Sequence, residues 1–365
     1  MSLKCGIIGL TNIGKTTLFN CMSKTRAQSS NFAFSTNKSN MGMCDVPDMR
    51  LFELDKLIKA EKVVPASVEL VDIPGLAKGA SQGEGIGNSF LADIRQTDAL
   101  IHVLRCFDDE NLAHIEGSIN PVRDKEIVEL ELQIKDLDQV EKKMQRVERA
   151  AKTGDKDAKK MLEVLQQYKD LFENFGNARN IDLSDDDKKC VADLMLLTDK
   201  PVVYVCNVDA DSAINGNAYT EKFIESVKNE NAEVLIIAGQ MEAEIAELES
   251  MEDREVFLQD MGLTEPGVNK LIRSSYRLLN LIAFFTIGGK ENRAWTIHKG
   301  VNAQVAAGTI HSDLERGFIR AEVIRYTDFI QYKTEAACRD AGKYRLEGKQ
   351  YIVEDGDILH IRFNV

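Results

Sequence analysis

The sequence predicts an α/β fold: a doubly wound, mostly parallel sheet with an inserted antiparallel helical hairpin and a C-terminal α+β module. Three observations in the 365-residue chain lead to this prediction. Apolar runs typical of buried strands alternate with helix-compatible stretches up to about residue 120, and again after residue 200. Between these parts, apolar residues recur every three or four positions, as on one face of a long helix. Beyond residue 281 the chain is rich in strand-like runs separated by glycine.

The elements of the sheet are short apolar runs that are followed by polar or glycine-containing stretches. These candidate strands are residues 5–8, 68–72, 99–106, 201–206 and 234–237. A chain of this length divides into more than one domain. We expect the sheet domain to comprise residues 1–122 and 200–280, the helical insert residues 123–199, and the C-terminal module residues 281–365.

The insert contains two predicted helices joined by a short polar turn at residues 151–155. The apolar stripe of the first helix is formed by Ile127, Leu130, Ile134, Leu137, Val140, Met144 and Val147. A second stripe follows at residues 161–172, and two long helices with a short connection pack as an antiparallel hairpin. The basic residues towards the tip are Lys142, Lys143, Arg146, Arg149, Lys152, Lys156, Lys159 and Lys160. They form either an ordinary solvated face or a basic probe for RNA or an acidic surface.

Composition and charge argue against several classes of function. The net charge of −13 is unfavourable for general coating of nucleic acid, which depends on Lys and Arg neutralising phosphates. The seven cysteines are scattered without a C-x-x-C pair, as expected for reduced thiols in a cytoplasmic protein. No apolar run approaches the roughly 20 residues of a membrane helix, and no secretory leader is expected before the first strand. We therefore expect a cytoplasmic protein without membrane contact, and we also expect a monomer.

A phosphate-binding loop is predicted at residues 9–16, which match G-x-x-x-x-G-K-[ST] at every fixed position. The loop lies between a strand-like run and a helix-compatible run, where backbone N–H groups cradle phosphate oxygens. Lys15 is expected to reach the β- and γ-phosphates, and the Thr16 hydroxyl to bind Mg²⁺. The residues expected to contact the nucleotide here are Asn12, Ile13, Gly14, Lys15, Thr16 and Thr17.

A second phosphate-sensing element is predicted at Asp72 and Gly75, which have D-x-x-G spacing after a strand. Asp72 is expected to hold Mg²⁺ from its outer shell, and the Gly75 N–H to sense the γ-phosphate. Thr36 is a third candidate for the Mg²⁺ shell. The glycines that follow, Gly79, Gly83, Gly85 and Gly87, predict a segment that is mobile without the γ-phosphate.

The residue after Gly75 is Leu76, where GTPases of the Ras type place a glutamine that orients the attacking water. Leucine has no polar group for this task, so hydrolysis is expected to be slow or to be assisted by another residue. Asn12 is a candidate to coordinate a monovalent cation such as K⁺ beside the phosphates. His114 is either an ordinary histidine of a surface loop or the group that orients the water.

The base-reading motif departs from the N-K-x-D of GTPases, because Val208 stands at the Lys position and Ala210 at the Asp position. A carboxylate would favour guanine and repel adenine, so its loss predicts that ATP is preferred over GTP. Asn207 is expected to pair with adenine N6 and N7. The alternative is that Asp209 or Asp211 restores guanine binding.

The loop after the next strand is expected to complete the base pocket. Ala238 and Gly239 lie in this loop, and their backbone is predicted to cover the edge of the base.

The chain resembles the Obg-like ATPase (YchF) family, a TRAFAC-class branch of the P-loop NTPases. The motifs that carry the resemblance are residues 9–16, 72–88, 207–210, 284–296, 306–313, 317–323 and the F-N-V end at 363–365. The C-terminal part resembles a TGS domain, a β-grasp module. The motif at residues 36–40, T-N-K-S-N, departs from the family's T-I-E-P-N, and Ala210 replaces its usual Glu.

The resemblance implies ATPase activity, the helical insert and association with ribosomes. It also implies that Leu76 is a hydrophobic replacement for the catalytic glutamine and that His114 occupies the position of a histidine proposed to assist hydrolysis. RNA contact through the hairpin or the TGS-like module remains open, although Arg316, Arg320 and Arg325 are more simply a solvated surface.

The leading hypothesis for the function is a switch that slowly hydrolyses ATP to ADP with Mg²⁺ and docks on a ribosome or a ribosome-bound factor. The alternatives are a GTPase of the same architecture and a nucleotide-gated binding module whose hydrolysis is incidental.

Overall fold

The computed structural model describes residues 3–23, 39–76 and 87–364. Internal contacts divide the chain into two units, one of Met1–Gly42 with Glu69–Leu271 and one of Met43–Val68 with Ile272–Val365. The strands are β1 (Lys4–Ile8), β2 (Asn40–Asp45), β3 (Lys62–Val64), β4 (Ser67–Asp72), β5 (Ala99–Arg105), β6 (Val202–Asn207), β7 (Glu233–Ile237), β8 (Leu281–Thr286), β9 (Glu291–His298), β10 (Phe318–Arg325), β11 (Arg345–Glu347) and β12 (Asp357–Phe363).

The longest helices belong to the predicted insert, and the others connect strands. The helices are α1 (Lys15–Met22), α2 (Met49–Leu57), α3 (Gly87–Arg95), α4 (Pro121–Lys152), α5 (Lys156–Glu173), α6 (Asp185–Lys189), α7 (Ala218–Val227), α8 (Gly239–Glu247), α9 (Met251–Asp260), α10 (Gly267–Leu278), α11 (Ala303–Ile310), α12 (Ser312–Arg316), α13 (Tyr326–Tyr332) and α14 (Glu335–Asp340). In the part of the chain that the structure describes, no helix is both long and apolar enough to span a membrane.

The first sheet has the strand order β2-β4-β1-β5-β6-β7. The pairs β4–β1, β1–β5, β5–β6 and β6–β7 are parallel, so these five strands end at the same edge of the sheet. Every residue of β5 and β6 is buried, which is why their sequences are almost continuous apolar runs. All five strands were predicted from the sequence. β2 was not, because its N-M-G-M-C-D sequence alternates between buried and exposed positions and has no apolar run.

Asn120 caps α4, the first helix of the predicted insert, because its side chain accepts from the Arg123 N–H at 3.2 Å. α4 and α5 run antiparallel, with Lys169 on α5 bound to Glu141 on α4 at 2.8 Å. Their shared core, continued by the segment after α5, contains Val140, Val164, Leu165, Tyr168, Phe172, Ala178, Val191 and Leu196.

The first turns of α4 bury a different face from the predicted apolar stripe. Leu130 and Ile134 are each 39% exposed, whereas Val128 and Leu132 are buried. The buried face also carries charge, because Lys125 lies 2.8 Å from Glu129 and 2.6 Å from Glu230. Charged groups that pair with one another can be buried, and apolar periodicity does not detect them.

The second sheet is mixed and has the order β11-β10-β12-β8-β9-β3. The parallel pair β12–β8 is flanked by antiparallel partners, and small residues of α11, Ala303, Ala306 and Ala307, lie in its core. This confirms the α/β class with a separate C-terminal α+β part, and the topology is that expected for a β-grasp module.

Residues 43–68 pack with the C-terminal unit, although the sequence placed them in the nucleotide-binding domain. β3 pairs with β9, and the buried Asn292 amide donates to Asp55 Oδ1 at 2.7 Å and to the Ile58 carbonyl at 2.6 Å. Sequence spacing does not reveal such a contact, and the domain limits expected from the sequence stay a prediction.

Candidate nucleotide site

The loop between β1 and α1 has the backbone conformation that its glycines permit. Gly9 and Gly14 have φ values of +143° and +92°, and Asn12 also has a positive φ of 58°. A Cβ on Gly14 would lie 2.2 Å from Asn207 Nδ2, and one on Gly9 would lie 2.5 Å from the Val103 carbonyl oxygen. A side chain at either position would therefore collide with the ends of β5 or β6.

α1 begins at Lys15, with Ile13 and Gly14 before it and Thr16 and Thr17 in its first turn. No side chain caps this helix. Its first backbone N–H groups therefore lack a side-chain acceptor, as they do in anion-binding sites at helix N-termini.

Lys15 is a buried cation. Its side chain is 7% exposed, and Nζ donates to the Leu10 carbonyl at 2.5 Å. Burial lowers the pKa of Lys15 to about 8, and the nearby Asp72 carboxylate opposes this effect. A buried ammonium with one carbonyl partner is suited to bind an additional anion.

Thr16 and Asp72, the two residues expected to serve Mg²⁺, lie together, and their roles towards the metal stay a prediction. Thr16 Oγ1 donates to Asp72 Oδ2 at 2.8 Å, and Asp72 is 4% exposed. Asp72 Oδ1 is buried and has no well-oriented hydrogen bond among the residues that the structure describes, although the Asn40 side chain lies close to the carboxylate. Burial raises the pKa of this carboxyl, and Lys15 opposes the increase.

These oxygen atoms fit Mg²⁺, which prefers hydroxyl, carboxylate and phosphate oxygens and retains several waters. Within residues 3–23, 39–76 and 87–364, no group of three His, Cys, Asp or Glu side chains could hold a metal without help from a ligand. Thr36 and the glycines 79, 83 and 85 lie outside the described residues.

Gly75 lies against the phosphate loop. A Cβ there would be 2.7 Å from Thr11 Cγ2 and 2.9 Å from Thr11 Cα. The next residue, Leu76, donates its N–H to the Gly9 carbonyl at 3.1 Å, and it is 1% exposed. Leu76 is thus packed inside the protein, and it offers neither a polar group nor an exposed surface to a water molecule.

The loop after β5 is held by Arg105, which sequence reasoning missed. This side chain is 1% exposed and donates to the carbonyls of Phe107 at 3.1 Å, Asp109 at 3.2 Å and Leu112 at 2.7 Å. The only sequence signal was a charged residue at the carboxyl end of an apolar run. Asn12 Nδ2 donates to the carbonyl of Ala113 at 3.3 Å, so this loop also contacts the phosphate loop.

His114 is buried rather than displayed on the surface. Its side chain is 3% exposed, Nδ1 accepts from the Glu116 N–H at 3.1 Å, and Nε2 lies 2.9 Å from Asp124 Oδ2. The ring therefore faces the first turn of α4. Its expected role in orienting water stays a prediction, and Asp124 was not anticipated from the sequence.

Asn207 has a different position from the one expected for direct base reading. Its Nδ2 donates to the Ile13 carbonyl at 2.9 Å, and its Oδ1 accepts from the Gly239 N–H at 2.9 Å. The side chain is 4% exposed. Both ends of the amide are used to join the phosphate loop to the loop after β7.

The remaining base-loop residues are placed by backbone contacts. The Val208 N–H donates to the Ile237 carbonyl at 3.0 Å, and both Val208 and Ala238 are buried. Asp209 Oδ1 accepts from the Ser212 N–H at 2.9 Å, so this carboxylate caps its own turn.

Two family models match the chain. Residues 4–167 match a family described as a 50S ribosome-binding GTPase, and residues 281–364 match the YchF GTPase C-terminal family, described as a protein of unknown function (DUF933). A relative from Pasteurella multocida, named ribosome-binding ATPase YchF, is 49% identical over 365 residues, covering 100% of both chains. The chain belongs to the YchF family.

Other members agree with this assignment. A Bacillus subtilis YchF with the same name is 47% identical over 367 residues, again covering 100% of both chains. The structure of the Schizosaccharomyces pombe YchF GTPase superposes with a TM-score of 0.87 at 35% identity, and the match covers 99% of this chain and 98% of that one. The resemblance found from the motifs is confirmed, and these YchF proteins are named ATPase in the bacteria and GTPase in the yeast.

Proposed function

We propose that this YchF-family chain is a Mg²⁺-dependent ATPase that acts as a nucleotide switch on the ribosome. The observation that carries the proposal is the buried arrangement of Lys15, Thr16 and Asp72 beneath a phosphate loop, with Asp72 Oδ1 lacking a well-oriented hydrogen bond among the described residues. The relatives named ribosome-binding ATPase support the nucleotide and the partner. We place the protein in the cytoplasm as a monomer.

In this mechanism, Lys15 exchanges its contact with the Leu10 carbonyl for the β- and γ-phosphates, where its charge stabilises the transferred group. Mg²⁺, bound through Thr16 and supported by Asp72, would neutralise charge on the phosphate oxygens. The Gly75 N–H reads the γ-phosphate, because Gly75 packs directly on the phosphate loop. His114 supplies the polar group that Leu76 lacks.

We propose that ATP is preferred because no carboxylate stands at position 210. Guanine would leave its N1–H and N2–H₂ donors without that acceptor, and buried unpaired donors are costly. The Asp209 carboxylate already accepts a hydrogen bond from the Ser212 N–H, which argues against its turning towards a base. The Ala210→Asp variant should therefore shift the ATP/GTP affinity ratio towards GTP by tenfold or more. An unchanged ratio would show that selectivity has another source.

We propose that Asn12 contributes to a K⁺ site. Its Nδ2 is held by the Ala113 carbonyl, and this orientation leaves Oδ1 as the cation-binding atom. Turnover should be faster in K⁺ than in Na⁺, and the Asn12→Ala variant should remove the difference. Equal rates for the wild-type protein in the two salts would contradict the proposal.

The central test is the Lys15→Ala variant, which should abolish ATP turnover with and without ribosomes. Co-sedimentation with ribosomes in ATP, ADP or no nucleotide tests the switch. Strong dependence on nucleotide and stimulation of turnover by ribosomes support it. Ribosome binding that does not depend on the nucleotide would favour a function in which hydrolysis is incidental.

We further propose that the hairpin tip contacts ribosomal RNA. Four basic residues of the predicted cluster are paired, with Asp138, Asp193, Glu148 and Asp187. The members of this cluster that are exposed and have no ion pair with a described residue are Arg146, Arg149, Lys156 and Lys159. The double variant Arg146→Glu with Arg149→Glu should weaken salt-sensitive ribosome binding, whereas Lys222→Glu on α7, as a control, should not.

A further inference from the structure

We propose that Asp124 is a positioning residue that holds His114 against α4 and releases it when the first turn of α4 moves. This inference rests on the proposed role of His114 in hydrolysis. It would make the hairpin a direct regulator of the nucleotide site, because Asp124 belongs to the helix that forms the hairpin.

Nδ1 of His114 accepts a hydrogen bond, and Nε2 lies close to a carboxylate oxygen of Asp124. The Glu116 N–H donates to Nδ1 at 3.1 Å, which places the ring proton on Nε2, 2.9 Å from Asp124 Oδ2. A group that orients water needs a nitrogen facing the water. With its side chain 3% exposed, Nδ1 hydrogen-bonded and Nε2 facing Asp124, His114 has to leave Asp124 before it can act.

The two oxygen atoms of Asp124 differ in how well they are hydrogen-bonded. Asp124 Oδ1 accepts from Arg123 Nε at 3.1 Å and Nη2 at 2.8 Å, and Arg123 is itself bound to the Ser118 hydroxyl at 2.9 Å. By contrast, His114 Nε2 and Asp124 Oδ2 are close but misaligned, since neither atom has a properly oriented hydrogen bond with any described residue. A buried polar pair of this kind is only partly satisfied. It is therefore the contact that breaks first.

The same loop is connected to the phosphate site on its other side. Ala113, adjacent to His114, accepts the hydrogen bond from Asn12, and Arg105 holds the carbonyl of Leu112 at 2.7 Å. His114 thus lies between one contact to the phosphate loop and one contact to α4. A displacement of either element changes the position of the ring.

α4 is 32 residues long, which corresponds to roughly 48 Å from its root to the hairpin tip. A partner that moves the tip therefore tilts a long helix whose first turn carries Asp124. We expect ribosome binding to displace this turn, and two sites coupled through one element influence each other.

The test uses the full-length Asp124→Ala and Asp124→Asn variants in ATP turnover with and without ribosomes. Without ribosomes, turnover by Asp124→Ala should rise about five- to tenfold at an unchanged KM, and the stimulation by ribosomes should shrink by the same factor. Asp124→Asn should give a smaller rise, because its amide oxygen still accepts a hydrogen bond. Glu221→Ala, which removes a first-turn acid from α7, is the matched control and should change neither rate.

Two further variants separate this proposal from the role of His114. If His114→Ala leaves ribosome-stimulated turnover unchanged, the role of His114 is wrong, whatever Asp124 does. If His114→Ala lowers turnover but Asp124→Ala does not raise the basal rate, the positioning role of Asp124 is wrong. The double variant should show no rise, because the released group is absent.

A measurement on the wild-type protein covers the case in which the variants fail to fold. Hydrogen–deuterium exchange at the histidine ring carbon should be slow for His114 and fast for the exposed His311. With ribosomes and a non-hydrolysable ATP analogue, exchange at His114 should accelerate at least about threefold. Unchanged exchange at His114 would overturn the proposal.

Discussion

The amide of Asn207 joins two loops of the nucleotide site, and replacing it should weaken ATP and GTP binding equally. Its Nδ2 donates to the Ile13 carbonyl, and its Oδ1 accepts from the Gly239 N–H, both at 2.9 Å. The Asn207→Ala variant leaves these two buried backbone groups unpaired. Because each buried unpaired group costs about 1–3 kcal/mol, the free energy of unfolding should fall by about 2–6 kcal/mol.

Part of this loss should appear in nucleotide affinity, because the bound state requires the phosphate loop in its present conformation. Rebuilding the loop without Asn207 should cost about 1.4–2.8 kcal/mol, which corresponds to a 10- to 100-fold weaker Kd. The factor should be the same for both nucleotides, since Asn207 supports the phosphate loop and does not read the base.

Titration of fluorescent ATP and GTP analogues, together with urea denaturation, measures both effects. A direct adenine pair would be worth about 1–3 kcal/mol, so its loss would weaken ATP alone and leave GTP unaffected. A fall in the ATP/GTP affinity ratio of more than about threefold would therefore refute the bridging role. Asn229→Ala, which removes an exposed amide after α7, serves as the control and should leave both affinities unchanged.

Three other predictions concern groups whose burial decides their behaviour. Burial raises the pKa of the Asp136 carboxyl from 3.8 to about 6. The folded state therefore binds more protons than the unfolded state between these pH values, and stability should fall as the pH rises through this range. The Asp136→Asn variant should remove this slope in urea denaturation. Burial lowers the pKa of the Lys15 ammonium from 10.5 to about 8. The unfolded state therefore binds more protons than the folded state between these pH values, and the nucleotide-free protein should gain stability as the pH rises. The Lys15→Met variant should abolish this gain. Gly75→Ala places a Cβ 2.7 Å from Thr11 Cγ2, and steady-state assays should show at least tenfold slower ATP turnover with little change in ADP affinity.

The parallel sheet was predictable because its strands are buried on both faces. β5 has no exposed residue, and a strand of this kind must be a continuous apolar run. The phosphate loop was predictable for another reason: Gly9, Gly14 and Lys15 are close in sequence, and their spacing alone specifies the local geometry. The sequence motifs predicted Mg²⁺ roles for Thr16 and Asp72 but not the hydrogen bond between them.

The start of α4 was mispredicted because apolar periodicity ignores buried charge. Lys125 and Glu129 pair with each other, and the hydroxyl of Tyr204 donates to Glu129 at 3.1 Å. These groups satisfy one another against the sheet, so Leu130 and Ile134 are left on the exposed side. Only the three-dimensional neighbours of a charged residue determine whether it can be buried.

The features of the site that could not be predicted from the sequence depend on contacts between residues that are far apart in the chain. Asn207 and Ile13 are separated by 194 positions, and no motif specifies that the amide would bridge two loops. The sequence placed His114 in a loop, but its burial depends on Asp124 in the following helix. The role of Arg105 could not be predicted for the same reason, because its three carbonyl acceptors belong to a loop that has no recognisable sequence pattern.

Because Leu76 stands where GTPases of the Ras type place a glutamine, we propose that the loop after β5 is the point of control. Leu76 is buried and offers no group to the water, so we propose that hydrolysis depends on a side chain from elsewhere. The loop that carries His114 contacts the phosphate loop through Ala113 and the hairpin helix through Asp124. A glutamine attached to the γ-phosphate sensor would respond to the nucleotide alone. A histidine held between two elements responds to both, so the rate of hydrolysis can depend on what the hairpin binds.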